Sequence, residues 1–355
     1  MDKDLKNKTL DELQKIVADF GQKQYLAKYI FGFIHQKGII GIDDITALGK
    51  TFRSELADAG YYISQLKTLE KLTDPDGTVK YLFELSDGGK IEAVLLNDKG
   101  RKTACISSQV GCQLGCVFCA TGYLKFERNL TAGEIVDQVI VIARDYGKIN
   151  NVVFMGMGEP LENYDEAVKA VKILCDQAGL NIGIRRQTIS TCGITPGIAK
   201  LADEEIYPRL AVSLHTADAL LRKKLMPIAN KYPLAELIKE LRKYKEKTGR
   251  RVTLECCMIK GLNDSPAAAA ELIKLLKGLQ THVNLIEYNP HPGCDFKASD
   301  TETLKEFRDI LMKAGIETII RFRRGRSIKA ACGQLGAERI KPVYQVKNAD
   351  IPKKV

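Results

Sequence analysis

No uninterrupted apolar run in the chain approaches the ~18–20 residues that a membrane-spanning helix requires. The opening residues, MDKDLKNKTLDELQ, mix acidic and basic side chains where a secretory leader would need an apolar stretch. These absences point to a cytoplasmic protein with no membrane partner. Histidine is also scarce, with His35, His215, His282 and His291 as the only four. Cysteine is not: there are ten. In a reducing compartment ten cysteines are poor material for a disulfide framework, so a clustered subset points to metal binding or redox chemistry. At 355 residues and 45% hydrophobic composition, the chain can bury one large core and carry a smaller accessory unit.

The formal net charge is +10, and the basicity is local. From Arg321 to Val355, ten Lys or Arg stand against Glu338 and Asp350, a net +8. Such clustering favours a polyanionic partner such as RNA, because Lys and Arg contacts to phosphates release counterions. Arg321, Arg323, Arg324 and Arg326 are candidate phosphate contacts.

Thr9 and Glu12 form a capping-box pattern ahead of Leu10, Leu13, Val17 and Phe20, with Gly21 placed as a stop. Further helices are expected over roughly 24–36 and 48–58, making residues 1–75 a small helical accessory domain. KYLFEL and KIEAVLL flank Ser86-Asp87-Gly88-Gly89, which predicts a β-hairpin within 76–101. From Lys102 onward six β-rich runs (TACISS, NVVFMG, RQTIST, RLAVSLH, VTLECCMI and HVNLIEYN) each precede a helix-like stretch. The alternation predicts an α/β fold with a parallel sheet, a partial (βα)6 barrel over 102–320. Residues 321–355 form a basic C-terminal segment. In such barrels the loops after the strands build the active site.

GCQLGCVFCATG places Cys112, Cys116 and Cys119 as C-x3-C-x2-C in one tight loop after the first barrel strand. A 4Fe-4S cluster normally takes four thiolates, so three leave one iron open to an exogenous ligand. A zinc loop would use the same thiols but needs a fourth Cys or His nearby, and the four histidines are distant in sequence. Gly156-Met157-Gly158-Glu159-Pro160 follows the second strand, where small residues let backbone approach a ligand and a carboxylate can accept from an ammonium.

This cysteine spacing in a six-unit βα chain resembles the radical S-adenosylmethionine (SAM) superfamily. The resemblance implies a 4Fe-4S cluster whose open iron chelates SAM and cleaves it to a 5′-deoxyadenosyl radical. Phe118 fits the family's shielding aromatic, and GMGEP resembles the motif that binds the SAM amino group. Read together, CISSQVGCQLGCVFCATGYLKFERNLTAGEIVDQV, FMGMGEPLEN, SLHTAD, LMPI, LIEYNP and AACGQLG look like the RlmN/Cfr family of adenine C2/C8 RNA methyltransferases, over essentially the whole chain.

That narrower resemblance implies the SAM contacts Gly158, Glu159, Ser190, Ser213, Leu214, His215 and Asn289. It also gives work to two further cysteines. Cys332 would be methylated by one SAM, and its S-methyl group would then deliver the carbon to adenine. Cys105 would help remove a proton from the adduct and release the product through a disulfide with Cys332. The route is chemically reasonable, since a thiolate attacks a sulfonium methyl and an adenine C–H carbon does not. Glu92 matches a carboxylate that contacts the adenine, against the alternative of an exposed strand position. Cys175, Cys192, Cys256, Cys257 and Cys294 read as small buried hydrophobes.

GMGEPLEN and the Arg-rich tail favour the C2 branch, with 23S rRNA and tRNA as substrates and flavodoxin or ferredoxin as electron donor. Two departures stand out: GRSIKAAC lacks the acidic residue expected before Cys332, placing Arg326, Ser327 and Lys329 there, and TCG replaces TSG. Competing readings are a C8 methyltransferase, a radical enzyme of another class, which would need neither Cys105 nor Cys332, and a non-catalytic Fe-S RNA-binding protein.

Overall fold

The computed structural model describes residues 2–340; the rest of the basic segment lies outside the described residues. At the first helix, α1 (Leu10–Asp19), the Thr9 hydroxyl accepts from Glu12 N at 3.3 Å and the Glu12 carboxylate accepts from Thr9 N at 2.8 Å. Two donors that a helix start leaves open are thereby satisfied. With α2 (Leu26–His35) and α3 (Lys50–Asp58), this helix buries Leu13, Val17, Ile30, Phe31, Ile34, Phe52 and Leu56.

The predicted hairpin joins β2 (Val79–Glu84) to β3 (Lys90–Asp98), with Glu84 opposite Lys90. Before it runs β1 (Lys67–Thr73), which pairs antiparallel with β2 and falls in the stretch read as helical. It is exposed along nearly its whole length, so it carries none of the apolar alternation by which a strand is read from sequence. A tight turn leads from β3 into β4 (Arg101–Cys105), followed by a small ribbon of β5 (Gln109–Val110) and β6 (Arg128–Asn129) and by α4 (Ala132–Tyr146).

The alternation then proceeds through β7 (Asn151–Phe154), α5 (Tyr164–Cys175), β8 (Gln187–Thr191), α6 (Thr195–Leu201), β9 (Arg209–Ser213), α7 (Ala219–Leu225), α8 (Leu234–Thr248), β10 (Val252–Met258), α9 (Pro266–Leu276), β11 (Thr281–Glu287), α10 (Thr301–Lys313) and β12 (Glu317–Arg321). All six predicted runs are strands, and β12 adds a seventh parallel neighbour. The ten-stranded sheet runs β1-β2-β3-β4-β7-β8-β9-β10-β11-β12, and its two ends do not pair with each other. The barrel is therefore partial.

Side chains bridge the gap instead. Beyond β12, Arg324 donates to Asp98 Oδ1 at 2.7 Å and Asn97 O at 3.0 Å, and Gly325 N donates to Asp76 Oδ2 at 2.9 Å. Ser327, where an acid was expected, donates through N (2.9 Å) and Oγ (2.7 Å) to Asp74 Oδ2. The carboxylate missing from this segment thus comes from the β1–β2 turn. Arg323 and Arg326 pair with Glu287, so three of the four candidate phosphate arginines are engaged within the chain. No described helix is long and apolar enough to cross a membrane.

Candidate active site

Cys112, Cys116 and Cys119 occupy the loop after β5. Val117 N donates to Leu225 O at 3.0 Å, pinning the loop to the end of α7, and Cys119 N donates to Cys116 O at 3.1 Å. Leu114, Leu225, Met226, Ile259, Tyr288 and Phe296 wall it from water. Burial pushes the Cys112 thiol well above its ordinary range and the Cys119 thiol up to about 11. Both are protonated until a metal supplies the compensating charge. Among the described residues no three His, Cys, Asp or Glu converge as one metal ion would require. A four-iron cube gives each thiolate its own iron and holds the sulfurs farther apart, so three thiols of one loop in an apolar pocket fit a cluster better than zinc.

The GMGEP turn depends on its glycines. A Cβ on Gly156 would lie 2.6 Å from the Ile106 carbonyl carbon, and Gly158, at φ +96°, would meet Gln109 Cβ at 2.5 Å. Glu159 is buried, and burial raises its pKa to about 7 against the hydrogen bonds that lower it. Its oxygens accept from Cys192 N at 2.7 Å and Leu161 N at 3.0 Å. The carboxylate thus first holds the turn together, leaving only its remaining lone pairs for an ammonium.

Ser190 and Ser213 lie half-buried at the ends of β8 and β9. His215 has a left-handed backbone (φ 64°) and is buried, and desolvation lowers its pKa to about 3. Its Nδ1 accepts from Cys257 N at 3.0 Å, so the neutral ring carries its proton on Nε2, which is buried without a partner. Asn289 donates to Cys332 O at 2.9 Å, and its Oδ1 is likewise unpartnered. A donor and an acceptor left open at strand ends are what a polar ligand such as SAM would satisfy. Leu214 differs from its neighbours: its side chain belongs to the core, its N–H donates to Glu255 O, and its C=O accepts from Thr216 N.

The C-terminal loop brings distant residues onto this rim. Ala120 N donates to Gly333 O at 2.7 Å, Thr121 Oγ1 to Leu335 O at 2.9 Å, and Gly336 N to Glu92 Oε2 at 3.1 Å. The alternative of an exposed Glu92 is excluded, because it is 3% exposed and faces Lys80 and Arg339 at 3.9 Å each. Burial raises its pKa above the ordinary carboxylate value. Cys105 lies opposite Val94 in the β3–β4 ladder, two residues from Glu92, so the two side chains share a sheet face. Cys332 is solvent-accessible, yet it lies close enough to Cys105 for its charge to bear on the Cys105 thiol. Desolvation pushes both thiols up to about 12. All ten cysteines are free thiols.

Cys192, read as a small hydrophobe, does more than fill space: its sulfur is 3.9 Å from Cys116 Sγ. Only its departure from the expected TSG could have signalled this. Gln109, whose Oε1 accepts from Glu159 N at 2.9 Å, carried no signal.

Residues 106–273 match the family profile of the Radical SAM superfamily, and residues 3–61 match that of the Ribosomal RNA large subunit methyltransferase N-terminal domain. The chain is 44% identical over 338 residues to the probable dual-specificity RNA methyltransferase RlmN of Thermoanaerobacter sp. (strain X514), covering 95% of this chain and 98% of that one. It is 46% identical to ribosomal RNA large subunit methyltransferase N of Nitrosopumilus maritimus, covering 92% and 96%. The crystal structure of a radical SAM methyltransferase from Sphaerobacter thermophilus superposes with a TM-score of 0.89 at 44% identity, covering 95% of this chain and all of that one. With likeness of this degree over nearly its full length, the chain belongs to the RlmN family of radical SAM RNA methyltransferases.

Proposed function

We propose that the chain methylates carbon C2 of an adenine in 23S rRNA and in tRNA, carrying the methyl carbon on Cys332. The observation that carries this reading is the seating of the Cys332 loop against the cluster loop, Asn289 and Glu92, with Cys105 close by. A radical enzyme of another class would need neither of these two thiols at its site.

Cys112, Cys116 and Cys119 would hold a 4Fe-4S cluster, which would supply the one-electron reduction needed for cleavage of SAM. Gly158, Glu159, Ser190, Ser213, His215 and Asn289 would hold SAM, with His215 Nε2–H as an open donor and Asn289 Oδ1 as an open acceptor. Leu214 contributes the packing that fixes this rim. Cys332 takes the first methyl group from SAM, with S-adenosylhomocysteine as the leaving group; its raised pKa means that the thiol proton must be lost before the sulfur can attack as a thiolate. Once the carbon carried on Cys332 is bonded to the base, Cys105 aids loss of the ring proton and attacks the Cys332 sulfur, so that the Cys332 S–C bond breaks as the Cys105–Cys332 disulfide forms, and the released carbon takes the electron pair and a proton to become the product's methyl group. Glu92, buried beside Lys80, orients the extruded adenine. The enzyme acts in the cytoplasm with a flavodoxin- or ferredoxin-type donor.

The test is mass spectrometry of rRNA and tRNA after anaerobic incubation with the reconstituted enzyme. We expect 2-methyladenosine in both. 8-Methyladenosine would move the chain to the C8 branch, and absence of any methylated base would overturn the reading. Cys105→Ala should trap an RNA–protein adduct on denaturing gels, and a variant that turns over without an adduct removes Cys105 from its role.

A further inference from the structure

Arg222, on α7, is 1% exposed and is the largest fully buried side chain among the described residues. Its Nη2 donates to Cys192 O at 2.8 Å and to Ser213 O at 3.3 Å, while its Nε has no partner. A Cβ on Gly193 would stand 3.2 Å from Nη2, so the guanidinium lies tight against this turn. Among the described residues no carboxylate forms an ion pair with it. A guanidinium does not shed its proton inside a protein, and burying a charge without a countercharge is strongly unfavourable.

The ionisable groups beside Arg222 are the Cys192 and Cys116 thiols and the His215 imidazole, which the guanidinium helps to keep neutral. Burial opposes its charge, and Cys192 and Cys116 are the groups that favour it. These two sulfurs are 3.9 Å apart, and Cys116 belongs to the cluster loop. A cluster held by thiolates is net negative, and it becomes one unit more negative when reduced. Cluster potential follows net charge, hydrogen bonding and burial, so a fixed cation in an apolar pocket stabilises the reduced form more than the oxidised one.

We propose that Arg222 is the fixed positive charge that holds up the reduction potential of the cluster bound by Cys112, Cys116 and Cys119. The proposal rests on the cluster reading above and makes Arg222 a positioning and tuning residue, not a catalytic one. One electron passes from a low-potential donor to the cluster, and no bond forms or breaks at Arg222.

The experiment uses the full chain, reconstituted anaerobically as wild type, Arg222→Met, Arg222→Gln and Arg222→Lys. Iron and sulfide content is followed by a dithionite titration monitored by electron paramagnetic resonance. At a given solution potential the two neutral variants should show at least a tenfold lower ratio of reduced to oxidised cluster, a downward shift of about 59 mV for a one-electron couple. Arg222→Lys should stay near wild type. Arg222→Gln, which keeps a donor for the Cys192 carbonyl, separates charge from structure if Arg222→Met does not fold. A wild-type potential in either neutral variant overturns the role of Arg222, as does an equal shift in Arg222→Gln and Arg222→Lys. Failure of the wild type to take up iron would overturn the cluster reading itself.

Discussion

Where the N-terminal helices meet the barrel, buried polar groups are saturated. Lys6 Nζ meets Asp137 Oδ1 at 2.6 Å with both side chains almost fully buried, and the other Asp137 oxygen accepts from Leu66 N at 2.7 Å. Asp4 Oδ1 accepts from Lys6 N and Ser64 N at 3.0 Å each, and Asn7 Oδ1 accepts from Gly133 N at 3.0 Å. At the barrel mouth, His215 Nε2, Asn289 Oδ1 and Glu255 Oε2 are buried with no partner. The difference separates a closed structural seam from a site that a ligand completes. His35 refines the rule. It lies in the N-terminal layer with both ring nitrogens unpartnered, packed against Phe31 with ring centroids 4.3 Å apart and planes tilted by 50°, and serves as a neutral aromatic filler. An orphan nitrogen therefore indicates a site only when it stands at a strand end beside other open groups.

The sharpest way to break this contrast is at the mouth. Cys332→Ala should abolish methyl transfer, read by mass spectrometry of the RNA, while leaving SAM cleavage to 5′-deoxyadenosine measurable and the unfolding midpoint in place. Normal methylation by this variant would remove Cys332 from the chemistry. At the seam the expectation is reversed: Asp137→Ala strands a buried Lys6 and should cost about 3–5 kcal/mol in urea unfolding. A loss below about 1 kcal/mol would mean that water reaches the pair.

The third test is pH. Burial lowers His35 from 6.5 to about 3, so the folded protein keeps it neutral while the unfolded chain binds a proton below pH 6.5. Its contribution is complete above pH 6.5 and is lost as pH falls toward 3, about 2 kcal/mol of it between pH 6.5 and about pH 5. His35→Phe should flatten that part of the stability profile, and an unchanged slope would place the proton uptake elsewhere. The smallest effect is expected at Glu255→Gln, which keeps the acceptor for Asn284 Nδ2 (2.8 Å) and removes a charge that burial already disfavours. Its unfolding free energy should change by no more than about 1 kcal/mol, and a loss as large as that at Asp137 would make Glu255 part of a closed network.

Much of this was legible in advance where one short stretch carries the whole cause. The Thr9/Glu12 box, the Ser86–Gly89 hairpin, the six barrel strands and the cysteine loop depend on partners a few residues apart or on periodicity within one element. β1 escaped because its side chains are exposed, and the role of Cys192 escaped because its neighbour Cys116 is 76 residues away. Ser327 looked like a lost acid because its acceptor, Asp74, is 253 residues distant.

By itself, then, the sequence determined the alternating α/β order, the three-thiol loop and the glycines of the GMGEP turn, since capping, turn formation and ligation within one loop are local physics. Only the tertiary structure decided that Cys332 comes to Cys105, that Glu92 is buried beneath Gly336, and that Arg222 stands beside the cluster loop with no carboxylate ion pair among the described residues. Each of these depends on which strand ends the open barrel brings together, and on the low dielectric that results.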